Sequence, residues 1–230
     1  MMLRRTLVNP EMYRIVHLVS DVEKQVPDQA LTPRQQERRA AIVAAARQSF
    51  LAKGYAATSM SGLLKTLGGS KATLWSYFRS KEELFAAVIE DVTASFRQQI
   101  ETDLLNPGDL EQTLVAFCRS FMARMTHPDG VATWRLVMAE SSRFPEVGLI
   151  FYREAASQVE RRLAGYLQQQ IDAGRLRDEG ALDMARLLMG MHKAGLHRRL
   201  WGVEPADGAD ADADARRFVG YFLRLFAVPG

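Results

Sequence analysis

Residues 58–85 read TSMSGLLKTLGGSKATLWSYFRSKEELF, and their spacing describes two short helices around a tight turn, then the start of a third. The first opens at Thr58 or Ser59, where a hydroxyl can accept a bond from an unpaired N–H of the first turn. It closes near Leu67, because Gly68 and Gly69 supply the backbone freedom of a sharp turn. The second opens at Ser70 and carries Lys71, Ala72, Thr73, Leu74, Trp75, Ser76 and Tyr77. The third opens on Ser80-Lys81-Glu82-Glu83, a capping box in which Ser80 and Glu83 satisfy each other's backbone donors. Helix, glycine turn, helix is the helix-turn-helix arrangement, and its second helix is sized for a DNA major groove.

Upstream, a helix is expected from Pro33 or Arg34 to Lys53, with Pro33 in its first turn and Gly54 just past its end. Ile42, Val43, Ala46 and Phe50 make one apolar stripe, which with Leu63, Leu74, Phe78 and Phe85 forms a three-helix core. Between Arg34 and Leu84 stand nine Lys/Arg against three acidic residues, although the whole chain of 230 residues carries only +3. Positive charge concentrated on this segment is the electrostatic footprint of phosphate binding. Lys71 and Lys81 each follow a serine N-cap, where the helix dipole disfavours a cation by roughly 0.3–1 kcal/mol. A phosphate at that helix end reverses the sign. The alternative is two ordinary exposed lysines.

The hydrophobic fraction of 47% and charged fraction of 25% are those of a globular protein, and no apolar run reaches the length of a membrane span. One cysteine, Cys118, cannot form an internal disulfide, so a reducing cytoplasm is expected. No nucleophile elbow, Cys/His pair, Walker loop or H-E-x-x-H occurs, so neither an enzyme nor a bound cofactor is expected. His192 and His197 are five apart and point away from each other on a helix, so no metal site is expected either. Asp210-x-Asp212-x-Asp214 lacks the glycine and the terminal acid of a calcium loop.

The 58–85 stretch resembles the DNA-binding domain of the TetR family of transcriptional regulators. Gly54-Tyr55, Thr58-Ser59-Met60, Gly68, Ser70, Thr73-Leu74, Tyr77-Phe78 and Ser80 to Phe85 all fall at that family's spacing, over roughly residues 37–96. Leu64 and Leu67 stand where the family usually has alanine, Gly69 where it has valine, and Trp75 where it has tyrosine. The resemblance implies DNA contacts from Thr58, Ser59, Ser70, Lys71, Ala72, Thr73, Trp75, Ser76, Tyr77 and Lys81. Among them Thr58, Tyr77 and Lys81 match backbone-gripping positions; Lys71, Ala72, Thr73, Trp75 and Ser76 match the surface facing bases. Only the second set can carry sequence information.

An all-α chain is expected throughout, with an extension over 1–33, a DNA-binding domain over 34–96 and a ligand-binding and dimerisation domain over 97–230. The extension has helical periodicity up to Pro27 and reads first as a self-docking or disordered segment, with a DNA-contacting arm or residues before a later start as the alternatives. Beyond it, helices are expected over 81–104, 109–126, 130–143, 146–173, 181–201 and 214–228, with an acidic loop over 204–213. The 81–104 helix is the expected lever between the domains. The segment WRLVMAESSRFPEVGLIFYREAASQVERRLAGYLQQQIDAGRLR, residues 134–177, resembles the C-terminal domain of AefR-like TetR regulators.

Phe117, Phe121, Met122, Trp134, Met138, Phe151 and Met189 are candidates for a cavity that takes a small apolar or aromatic effector, with His192 to orient a polar group. Plain core is the alternative for each. Tyr152, Ala156, Val159, Leu163 and Tyr166, with Leu182, Ala185 and Leu196, mark helix faces for a homodimer's four-helix interface, or for packing within one subunit. The resulting expectation is a ligand-responsive repressor that binds a palindromic double-stranded DNA operator as a dimer and is released by its effector. An effector-independent DNA-binding activator, or a helical interaction module without DNA binding, remains compatible with the sequence.

Overall fold

A computed structural model describes residues 31–68, 70–105, 109–193, 201, 203 and 211–228. The helix expected to end before Pro27, Gly69, Leu196 and His197 therefore lie outside the described residues, as does all of the 1–33 extension but its last three residues. The chain divides into two units, residues 1–38 and 39–230. In the first, Thr32 and Gln35 cap each other: the Thr32 N–H donates to Gln35 Oε1 at 2.8 Å and the Gln35 N–H to Thr32 Oγ1 at 3.4 Å. That cap stands at the start of helix α1 (Pro33–Ala57).

The second unit is all-helical among its described residues apart from one isolated bridge. Its elements are α2 (Met60–Leu67), α3 (Lys71–Tyr77), α4 (Lys81–Leu105), α5 (Leu110–Thr126), α6 (Pro128–Glu140) and α7 (Pro145–Phe151), then a π-helical turn (Tyr152–Ala156), α8 (Ser157–Asp172), α9 (Ala181–Lys193) and α10 (Ala211–Phe226). Gly54 interrupts α1 with φ 85° and ψ 168°, as expected of the residue after Lys53. Asp109 caps α5 through the Gln112 N–H at 2.7 Å, and Pro128 and Pro145 occupy the first turns of α6 and α7. At the start of α4, Ser80 caps Glu83 as expected, but the Glu83 carboxylate reaches back to the Arg79 N–H, one residue beyond the box.

Two apolar cores result. The first joins Ile42, Val43, Ala46 and Phe50 of α1 to Leu63, Leu74, Phe78 and Phe85, as the stripe predicts, and takes in Val137, Val147, Ile150 and Ala155 as well. Its centre is an aromatic group in which Phe50, Tyr55 and Phe85 stand 5.2–5.6 Å apart, with Phe144 5.3 Å from Tyr55. The second core holds Ile100, Leu114, Phe117, Leu163, Leu188 and Phe222 among others. Helix α4 serves both, burying Phe85 and Ile89 in the first and Ile100 in the second.

Two departures from the expected elements have local causes. The π turn interrupts what periodicity read as one helix from 146 to 173. Its wider turn keeps burial in the first core across a step of five, from Ile150 to Ala155, before Val159 enters the second core. At the other end, α10 starts at Ala211, inside the expected acidic loop. Asp212 and Asp214 lie in its first turn, where the dipole favours anions, and pair with Arg216 at 2.7 Å and Arg217 at 2.6 Å.

Candidate nucleic-acid interface and internal cavity

Helix α3 is held by its apolar side and shows its polar side to solvent. Leu74 and Phe78 are buried in the first core, while Lys71, Ala72, Thr73, Trp75 and Ser76 are exposed. Ser70 caps the helix, accepting from the Thr73 N–H at 3.1 Å, and its hydroxyl lies 2.9 Å from that of Thr73. Gly68, with φ 65°, ends α2 and donates its N–H to the Leu64 carbonyl at 3.0 Å. Leu64 and Leu67 pack partly buried against the core, so the bulk that replaces alanine faces inward. Trp75, 39% exposed, stands on the outer face.

Three expected contact residues are placed differently. Thr58 is buried, and its hydroxyl donates to the Gly54 carbonyl at 2.9 Å; Ser59 is the exposed N-cap of α2. Thr58 thus braces the turn behind Gly54 and does not reach the surface. Tyr77 packs half-buried against the first core. The Lys81 ammonium lies 4.1 Å from the Tyr55 ring centroid and 5.9 Å from that of Phe144, with the Ala56 carbonyl 3.5 Å away. Burial pushes this ammonium below its ordinary value, against the pull of Glu82, Glu140 and Glu146.

The same corner receives α6. Glu140 Oε1 accepts the Ala56 N–H at 3.2 Å, and a Cβ on Gly54 would lie 2.6 Å from it. The positive φ favours glycine there, and a Cβ would also push the Glu140 carboxylate aside. Further along α1, Arg47 pairs with Asp129 at the start of α6. Helix α6 is thereby attached to the DNA-binding helices at both ends, a connection that the reading of α4 as the lever did not anticipate.

Between α6 and the second core lies a cavity of about 60 Å³. Phe96, Phe121, Trp134, Phe151 and Met189 supply its apolar lining, and the Trp134 and Phe151 rings meet edge to face at 5.9 Å. Of the expected pocket residues, Phe121, Trp134, Phe151 and Met189 are brought together there. Phe117 and Met122 are buried in the second core, and Met138 points outward at 65% exposure because Val137 takes the inward position of that turn. His192 is buried with its Nδ1 2.9 Å from the Leu188 carbonyl; burial lowers its pKa, against that hydrogen bond and Asp214.

Three cations also line the cavity: Arg97, Arg124 and Lys193. Arg97 donates to Thr93 Oγ1 at 3.2 Å and to the carbonyls of Glu154 and Glu90, both at 3.3 Å; Glu154 belongs to the π turn. Arg124 donates to the Val92 carbonyl at 2.9 Å. Burial lowers the pKa of Arg124 and of Lys193. The sequence carried a signal for these residues: Arg124 and Lys193 interrupt apolar stretches beside Phe121, Met125 and Met189. Gly130 is explained here too, since a Cβ would come 2.2 Å from the Arg124 carbonyl oxygen.

The expected dimer face divides in the same way. Val159, Leu163 and Ala185 are buried within the protomer and Ala156 lines the cavity, so the most apolar stripe of α8 and α9 serves the subunit's own interior. Tyr166 is half-buried against the second core. Tyr152 and Leu182 are exposed, and so are Leu149 and Leu187, which the stripe did not include.

A capped, glycine-turned helix pair with one polar face outward defines a helix-turn-helix DNA-binding protein. Known proteins agree. The profile for bacterial regulatory proteins of the tetR family matches residues 42–88, and that of the AefR-like transcriptional repressor C-terminal domain matches residues 112–228. The chain belongs to the TetR family of transcriptional regulators, with a C-terminal domain of the AefR-like type. It is 26% identical to the uncharacterized HTH-type transcriptional regulator YhgD of Bacillus subtilis over 60% of this chain and 69% of that protein. It is 32% identical to the HTH-type transcriptional regulator BetI of Rhizobium meliloti over 48% of this chain, spanning 55% of that protein's length. Among solved structures, the flavonoid-responsive regulator FrrA superposes with a TM-score of 0.73 at 28% identity, covering 85% of this chain and all of that one. SmeT, repressor of the Stenotrophomonas maltophilia multidrug efflux pump SmeDEF, shares the fold with a TM-score of 0.59 at 23% identity over 89% and 94% of the two chains. Among the described residues, no helix is long and apolar enough to cross a membrane.

Proposed function

We propose that this regulator is a homodimeric, effector-released repressor that acts in the cytoplasm. Each subunit places α3 in one major groove of a palindromic operator, with half-sites one or more helical turns apart. The observation that carries this reading is the exposed row Lys71, Ala72, Thr73, Trp75 and Ser76, held rigidly by buried Leu74 and Phe78. Lys71 is suited to guanine acceptors, and the methyls of Ala72 and Thr73 to those of thymine. Tyr152, Leu182 and Leu187 offer an exposed apolar surface for the partner subunit.

The cavity supports effector control. A cavity of about 60 Å³ is narrow, so an aromatic occupant must move its walls. One wall is α6, whose far end holds Glu140 against Ala56, and Phe144, in the turn that follows, stands beside Lys81. An effector that prefers the widened cavity then prefers displaced DNA-binding helices, and DNA weakens effector binding by the same factor. The name of FrrA, a flavonoid-responsive regulator of the same fold, is in keeping with an aromatic effector.

The test is fluorescence anisotropy of the full chain on DNA from upstream of its own coding region, at two salt concentrations. Saturable binding that outcompetes random DNA, with a two-subunit stoichiometry, is the expected result. Binding without sequence preference, unchanged by Lys71→Ala, overturns the reading.

A further inference from the structure

The lining of the cavity is chemically lopsided. Its walls carry four aromatic rings and three cations, and none of the described lining residues is acidic. The nearby carboxylates already have partners: Asp129 is paired with Arg47, and Glu160 accepts from Arg186 and from the Tyr152 hydroxyl, both at 3.2 Å. The three cations are not equally satisfied. Arg97 spends its donors on Thr93 and two carbonyls. Arg124 has the Val92 carbonyl, with Asp129 attracting and Arg47 repelling it. The Lys193 ammonium lies 5.8 Å from the Phe121 ring centroid, with Glu160 as its charge neighbour, and makes no hydrogen bond or ion pair with a described residue.

A neutral guest would expel water from these cations and leave them less well compensated than before. A cationic guest would add repulsion in a low-dielectric space. A flat aromatic ring bearing a carboxylate meets both demands, since the ring packs among Phe121, Trp134 and Phe151 while the carboxylate accepts charge-assisted bonds. We propose that the cavity takes a small aromatic anion, an aryl carboxylate, whose charge is received by Lys193 and Arg124. This inference rests on the reading of the cavity as the effector site.

Two matched sets of probes, benzoate with benzamide and benzylammonium, and 2-naphthoate with its amide and aminomethyl analogues, test it on the full chain. Binding is followed by calorimetry and by Trp134-sensitive fluorescence. In at least one set, the carboxylate is expected to bind at least about tenfold tighter than its neutral and cationic counterparts, the gain of one charge-assisted hydrogen bond. Lys193→Met should remove most of that preference while leaving amide binding intact, and Lys193→Arg should retain it. If amides or ammonium probes bind as tightly as carboxylates, or Lys193→Met leaves the preference intact, the anion assignment falls and the cavity remains an effector site. If none of the probes binds, the assignment and the effector-site reading fall together.

Discussion

The helix-turn-helix region and the cavity region use charge in opposite ways. Around α3 the apolar residues face inward and Lys71 and the hydroxyls face solvent, so the polar face is free for an external partner. Around the cavity, Arg97, Arg124 and Lys193 are turned into an aromatic-lined interior. A solvated surface cation costs little and waits for phosphate. A cation in an apolar cavity is tolerated only with acceptors or a counter-charge. The first region is therefore complete without its ligand, whereas the second has a charge that a guest would compensate.

The sharpest way to break the comparison is to ask whether the two regions unfold together. Phe85→Ala empties the centre of the first core and is expected to destabilise by roughly 3–5 kcal/mol. Because that core contains Val137, Val147 and Ile150, urea unfolding followed by circular dichroism should stay a single transition. A surviving second transition would show that the cores are independent. Next in size, Lys71→Ala should weaken operator binding by about 1–3 kcal/mol if it reads a base, or lower the salt slope by about 1 if it holds a phosphate. Thermal unfolding should be unchanged in either case, since Lys71 is exposed.

Glu140→Ala tests the join between the regions. Losing the carboxylate that accepts the Ala56 N–H should cost about 1 kcal/mol, and the Ala56 amide should exchange with solvent faster. The smallest effect is expected from acid. His192 is buried in its neutral form, with its pKa below the ordinary 6.5. As pH falls through 6.5 the unfolded chain takes up a proton that the folded chain resists, so stability present above that value declines. His192→Gln should flatten the melting temperature between pH 7.5 and 5.5.

Much of the fold could be read from local pattern. The Ser59 and Ser70 caps, the break at Gly54 and the stripe of Ile42, Val43, Ala46 and Phe50 are all found as expected. Half of the expected pocket residues line the cavity, and of the face expected for a partner subunit Val159, Leu163 and Ala185 are buried within the subunit while Tyr152 and Leu182 are exposed. Helical periodicity identifies an apolar face but carries no information about what covers it. Thr58 shows the same limit at one residue: its type suits a phosphate contact, and its hydroxyl is taken by the Gly54 carbonyl.

The sequence by itself determined the helix-turn-helix and the outward row on α3. Caps, glycine turns and a 3.6-residue stripe act within a few residues, so neighbours in sequence suffice to specify them. Only the tertiary structure decided the rest: the phase change at the π turn, the attachment of α6 at Ala56 and the gathering of three cations around one space. Those features depend on residues far apart in the chain, such as Arg97 with Glu154, Ala56 with Glu140 and Phe121 with Lys193. Their meeting is set by how whole helices pack, which no short stretch of sequence encodes.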